Sequence, residues 1–77
     1  MTAVRFADHG LADDVRRAIA DGAATITIDL GDLAYIDPLG LRAVAAAVEV
    51  VRAAGATLRL ERARPSVYKA LHVARLV

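Results

Sequence analysis

The amino-acid sequence predicts a small α/β domain, a mostly parallel sheet with helices packed on it. Three observations carry that expectation. Short β-branched runs alternate along the chain with longer stretches of helical apolar periodicity. Glycine or proline stands at the junctions, at Gly22, Gly31, Pro38, Gly55 and Pro65. No repeat, linker or low-complexity segment interrupts the order β-α-β-α-β-α, so residues 1–77 read as one domain. Strands joined by helices pair in parallel through right-handed crossovers, and the helices must then pack on the sheet.

Taken in order, Ala3-Val4-Arg5-Phe6 forms the first strand. Leu11, Val15, Ala18 and Ile19 recur at helical spacing, with Asp13, Arg16 and Arg17 opposite, which predicts a helix from Gly10 to Asp21. Asp8 caps its start, Asp13 supports Arg17 four residues on, and Gly22 stops it. Thr25-Ile26-Thr27-Ile28-Asp29-Leu30 is an alternating β-branched strand closed by Gly31 and Asp32. After Leu33-Ala34-Tyr35-Ile36, Asp37 is placed to cap a second helix. Pro38 stands at its first position, where the missing N–H costs nothing. That helix runs to about Ala54 and is closed by Gly55. Ala56-Thr57-Leu58-Arg59-Leu60 is the last strand, and Pro65 opens a final helix in which Val67, Ala70, Leu71 and Ala74 share a face.

Composition narrows the function classes. The chain has 77 residues, 57% of them hydrophobic and 18 of them alanine, and no cysteine. A chain of this size buries only about 60% of its unfolded surface, and neither disulfides nor a cysteine-based zinc site can reinforce it here. The run between charges inside the second helix, Ala43 to Val48, is far short of the roughly 20 apolar residues that span a bilayer. No signal-peptide pattern opens the sequence. A cytoplasmic protein without direct membrane insertion is the expectation. The net charge of +1 hides an asymmetry, −4 over residues 1–41 and +5 over residues 42–77. The bases of the second half are scattered over two helices and a strand with no aromatic stacking platform, which argues against a nucleic-acid partner.

The second helix is the most informative segment. At 100° per residue, Leu41, Val44, Ala45, Val48 and Val51 gather in the sector that should face the sheet. The opposite sector holds Leu39, Ala43, Ala46, Val50 and Ala53, flanked by Arg42 and Glu49. Alanine is a good former of surface helices, but Leu39 and Val50 do not fit that explanation. A helix apolar on two sides is covered on both or offers one to a partner.

Catalytic readings are weaker. Asp29, Asp32 and Asp37 gather near the carboxyl end of a strand, where Mg²⁺ and a phosphoacceptor aspartate would sit in a receiver-like domain. Asp32 and Asp37 are also ordinary turn and cap residues. His9 and His72 lack ligand spacing and read as surface residues; Tyr35 and Tyr68 read as packing residues. There is no glycine-rich phosphate loop and no Ser or Cys nucleophile at a strand-to-helix turn. The sequence is read as a non-enzyme, with no catalytic residues, metal or cofactor.

The segment Ile26-Thr27-Ile28-Asp29-Leu30-Gly31-Asp32-Leu33-Ala34-Tyr35-Ile36-Asp37-Pro38-Leu39-Gly40-Leu41 resembles the central signature of STAS domains, the sulphate-transporter and anti-sigma-factor-antagonist family. In that signature a hydrophobic strand ends in Asp-Leu, a short apolar segment follows, and Asp-Ser-Ser-Gly-Leu opens the next helix. The likeness continues into Ala53-Ala54-Gly55-Ala56-Thr57-Leu58-Arg59-Leu60 and covers about residues 11–74. The resemblance implies a bacterial protein-binding module of transcription regulation by partner switching. The motif loop and following helix dock on an anti-sigma factor of histidine-kinase-like ATPase fold, and phosphorylation of the second serine breaks the complex.

On that resemblance Asp37, Pro38, Leu39 and Gly40 are the docking loop, continued along the helix by Arg42, Ala43, Ala46 and Val50. Leu39 stands where the phosphorylatable serine would be, so the usual charge switch is absent. Ser66, the only serine, opens the last helix and does not replace it by position in the sequence. Gly40 would keep the helix start thin for close approach of a partner backbone. The family usually has a further strand ahead of Ala3. Its expected absence would expose a sheet edge that invites a homodimer. A second role implied by the resemblance is an accessory subunit of a membrane lipid-transport ATPase, docking on a transporter ATPase subunit.

Overall fold

Thr25-Ile26-Thr27-Ile28 lies at the middle of the molecule, as the most β-branched run of the chain should. The computed structural model describes residues 2–6 and 9–76. Its elements are β1 (Thr2–Arg5), α1 (Leu11–Ala20), β2 (Thr25–Asp29), α2 (Pro38–Ala54), β3 (Thr57–Glu61) and α3 (Pro65–Val73). Strand order is β1-β2-β3 and both pairings are parallel. This is the predicted α/β fold, with strand ends displaced by one residue. Asp8, expected to cap the first helix, lies outside the described residues. Gly10 precedes α1 with φ 79° and makes no side-chain cap bond.

Because successive strands are neighbours, right-handed crossovers place α1 and α2 on the same face of the sheet. The register confirms that one face is apolar. Val4 pairs with Ile28, and Ile26 and Ile28 pair with Leu58 and Leu60. Val4, Ile26 and Ile28 are buried, and the two leucines pack at the margin of the same core. The other face carries Ala3, Arg5, Thr25, Asp29, Thr57 and Arg59 and is largely solvated. Thr27, 6% exposed at its centre, is an exception, and its hydroxyl has no hydrogen-bond partner among the described residues.

Helix α1 contributes Leu11, Val15 and Ala18 to the core, α2 contributes Val44, Ala47 and Val51, and α3 contributes Val67 and Leu71. Ala70 is half-buried and Ala74, expected on the same face, is exposed beyond the last helical residue, so the apolar stripe of α3 is shorter than predicted. Both longer helices stop as the glycines require. Gly22 and Gly55 take left-handed φ of 100° and 70°. The following Ala23 and Ala56 N–H groups return to the Ala18 and Val51 carbonyls, five residues back. No helix among the described residues is long and apolar enough to cross a membrane.

Candidate partner-docking surface

The loop between β2 and α2 begins with a turn built by Asp29. Its Oδ1 accepts from the Gly31 N–H at 2.8 Å and from Arg62 Nε at 3.0 Å. The Gly31 hydrogen bond, reinforced by Arg62, holds the Asp29 carboxyl below its ordinary range. Leu33 and Ile36 then turn inward against the core margin, while Tyr35 stands 73% exposed between them. The loop ends at Asp37, which caps α2 as predicted. Its Oδ1 accepts from the Gly40 N–H at 2.8 Å, and Pro38 occupies the first turn.

Leu39, the first apolar residue after the cap, is 50% exposed. Beyond it the outward side of α2 meets α1 in a shallow groove. One end is bounded by Asp13, Leu39, Arg42, Ala43 and Ala46. The other, roomier at about 670 Å³, is bounded by Arg16, Ile19, Ala46, Glu49, Val50 and Ala53. Ala46 borders both, so the two depressions adjoin along α2. Its rim carries both signs of charge, and two exposed pairs, Arg16–Asp13 at 2.7 Å and Arg52–Glu49 at 3.3 Å, lie along it. Such pairs contribute little to stability.

Three expectations for α2 are corrected. The inward stripe is Gly40, Val44, Ala47 and Val51, whereas Leu41, Ala45 and Val48 are only half-buried. The stripe is rotated because α2 packs on α1 as well as on the sheet. For the same reason Ala43 and Val50 are half-buried against the core rather than fully outward. Gly40, third, does not thin the outer surface. It is buried, and a Cβ there would lie 2.7 Å from Ile36 Cγ1 and 3.2 Å from Phe6 Cζ. It lets the loop close on the core from inside.

Asp37, Pro38, Leu39, Arg42 and Ala46 are therefore the exposed members of the predicted set, with Ala43 and Val50 lining the groove floor. Asp32 borders one surface depression with Asp29 and another with Asp37. Asp29 is bound to Arg62, Asp37 is committed to the helix cap, and no trio of His, Asp or Glu side chains suited to a metal forms among the described residues. His9 and His72 are exposed as expected. Tyr35 and Tyr68 are not packed inside. Tyr35 belongs to a loop whose inward places are taken by Leu33 and Ile36, and Tyr68 lies on the outer side of α3, stacked on His72. Sequence reasoning missed Ser66, whose hydroxyl donates to the Ala34 carbonyl within the loop at 2.8 Å. No local signal joins residues 32 positions apart.

The chain is thus a small α/β domain of three parallel strands with helices packed on the sheet and a side-chain-capped strand-to-helix loop. A family model described as "Mlab, STAS domain" matches residues 5–77, and the chain belongs to the STAS domain family. No curated protein and no solved structure is significantly similar to it.

Proposed function

We propose that this protein is a cytoplasmic protein–protein interaction module that acts as an anti-sigma factor antagonist, docking through the Asp37–Gly40 loop and α2. The observation that supports this most is Leu39. An apolar side chain half-exposed at the head of a groove continued by Ala43, Ala46 and Val50 is better suited to a partner than to water. Leu39 carries no hydroxyl, so binding at this surface is not released by phosphorylation there. The groove works by shape and apolar burial, and the mixed charges of its rim set orientation. The carboxylates of Asp29 and Asp37 serve a turn and a helix cap.

The reading is tested by capture from the native cytoplasm with the wild type and Leu39→Asp side by side. A charge at this position should abolish capture of a histidine-kinase-like anti-sigma factor while the melting temperature stays within a few degrees. Binding retained at full strength would remove the α2 surface. A second reading is kept because the matching family carries the Mlab description. In it the same surface docks on the ATPase subunit of a lipid transporter, and that subunit would be the protein lost from the mutant lane.

A further inference from the structure

The connection from β3 to α3 lies against the docking loop with a regular alternation. Arg62, Arg64 and Ser66, every second residue, reach in turn to Asp29, Gly31 and Ala34. Arg62 Nε meets Asp29 Oδ1 at 3.0 Å, Arg64 Nε meets the Gly31 carbonyl at a long 3.5 Å, and Ser66 Oγ meets the Ala34 carbonyl at 2.8 Å. The intervening Ala63 packs at the core margin, which fixes which side chains face the loop. Arg62 holds its place at φ 59°, a left-handed backbone that a residue with a Cβ adopts only where its surroundings require it.

The loop has little else of its own to order it. Leu33 N–H to the Leu30 carbonyl at 3.1 Å is its one backbone–backbone bond before Asp37 among the described residues, and the carbonyls of Gly31 and Ala34 accept from Arg64 and Ser66 of the β3–α3 connection. Leu33 and Ile36 anchor it by apolar contact, which fixes depth but is not directional. Directional restraint at Ala34, just ahead of Tyr35 and three residues before the Asp37 cap, comes from Ser66 alone among the described residues.

We infer that Ser66, assisted by Arg62 and Arg64, is a positioning residue that orders the Gly31–Ile36 loop from α3. This deepens the docking reading and rests on it for its role. On it, the single serine of the chain acts as a hydrogen-bond donor that orders the loop leading to the docking motif. Ser66 occupies the second position of α3, where alanine is well tolerated, so its removal should not unwind that helix.

The test uses the ¹⁵N-labelled protein alone, as wild type, Ser66→Ala and Ser66→Thr. Loss of one hydrogen bond should speed amide exchange at Leu33 about fivefold and lower the order parameters of Ala34 and Tyr35. Amides of α1, α2 and α3 should keep their wild-type rates, and Ser66→Thr, which retains the hydroxyl, should restore the loop. Wild-type behaviour of the loop in Ser66→Ala would overturn the inference. So would a loss of protection spread evenly over β2 and α2, which marks general destabilisation. No partner enters this measurement, so it is independent of the Leu39→Asp experiment. Loosening of the loop alongside a Leu39→Asp protein that still binds would leave Ser66 as a positioning residue of the loop and remove its part in docking.

Discussion

The two sides of α2 both carry apolar residues, but with different consequences. Inward, Gly40, Val44, Ala47 and Val51 meet the sheet and α1 and are buried. Outward, Leu39, Ala46 and Ala53 are exposed although they are equally apolar. The outward side also carries the charged Arg42, Glu49 and Arg52, so the two sides differ in polarity as well as in what lies opposite. The inward side stabilises the fold, and the outward side is free to lose water to something else. Stability should therefore respond steeply to changes on one side and hardly at all on the other.

The strongest way to break the contrast is a charge on the inner side. Val44→Asp places an uncompensated carboxylate in a fully buried site, at a cost of several kcal/mol that a domain of this size cannot absorb. The far-ultraviolet circular dichroism of that variant should be that of an unfolded chain at neutral pH. Gly40→Ala is the next largest. The added methyl meets Ile36 and Phe6, and overpacking of this kind costs about 1–3 kcal/mol. Its melting temperature should fall by roughly 4–8 °C per kcal/mol. An unchanged melting temperature would mean that the loop closes less tightly on α2 than described above.

Asp37→Ala removes the one side-chain cap of α2 and should cost about 1 kcal/mol, read by urea denaturation. The smallest effect concerns pH. Asp29 titrates below the ordinary carboxylate range in the folded protein, so it favours folding above the unfolded-state pKa, and this contribution fades as pH falls through the folded value. The carboxyl carbon shift of Asp29 followed by NMR should show that lowered midpoint, and Arg62→Gln should raise it part of the way. Full return to the ordinary value would assign the shift to Arg62 rather than chiefly to the Gly31 N–H.

Most of the fold was legible because its punctuation is chemical. Gly22 and Gly55 supply the left-handed residues that end the helices, and Asp37-Pro38 marks the start of α2 to the residue. Membership of the STAS domain family was likewise legible in Ile26 to Leu41, because the motif is contiguous. The docking surface was legible in part. Leu39 and Ala46 could be placed outward by periodicity, but the direction of Gly40 and the half-burial of Ala43 and Val50 could not. A helical wheel gives angles about one axis and says nothing of the second helix packed beside it.

By itself, then, the sequence determined which segments make strands and helices, where the two longer helices stop, and that a loop capped by Asp37 leads into an apolar helix. These depend on interactions within about five residues, which local chemistry encodes. The tertiary structure decided which of two similar apolar stripes is core. It also turned Gly40 inward and brought Arg62, Arg64 and Ser66 onto Asp29, Gly31 and Ala34. Those outcomes join residues some 30 positions apart, and their partners are set by how α1, α2 and β3 pack together, which no local pattern records.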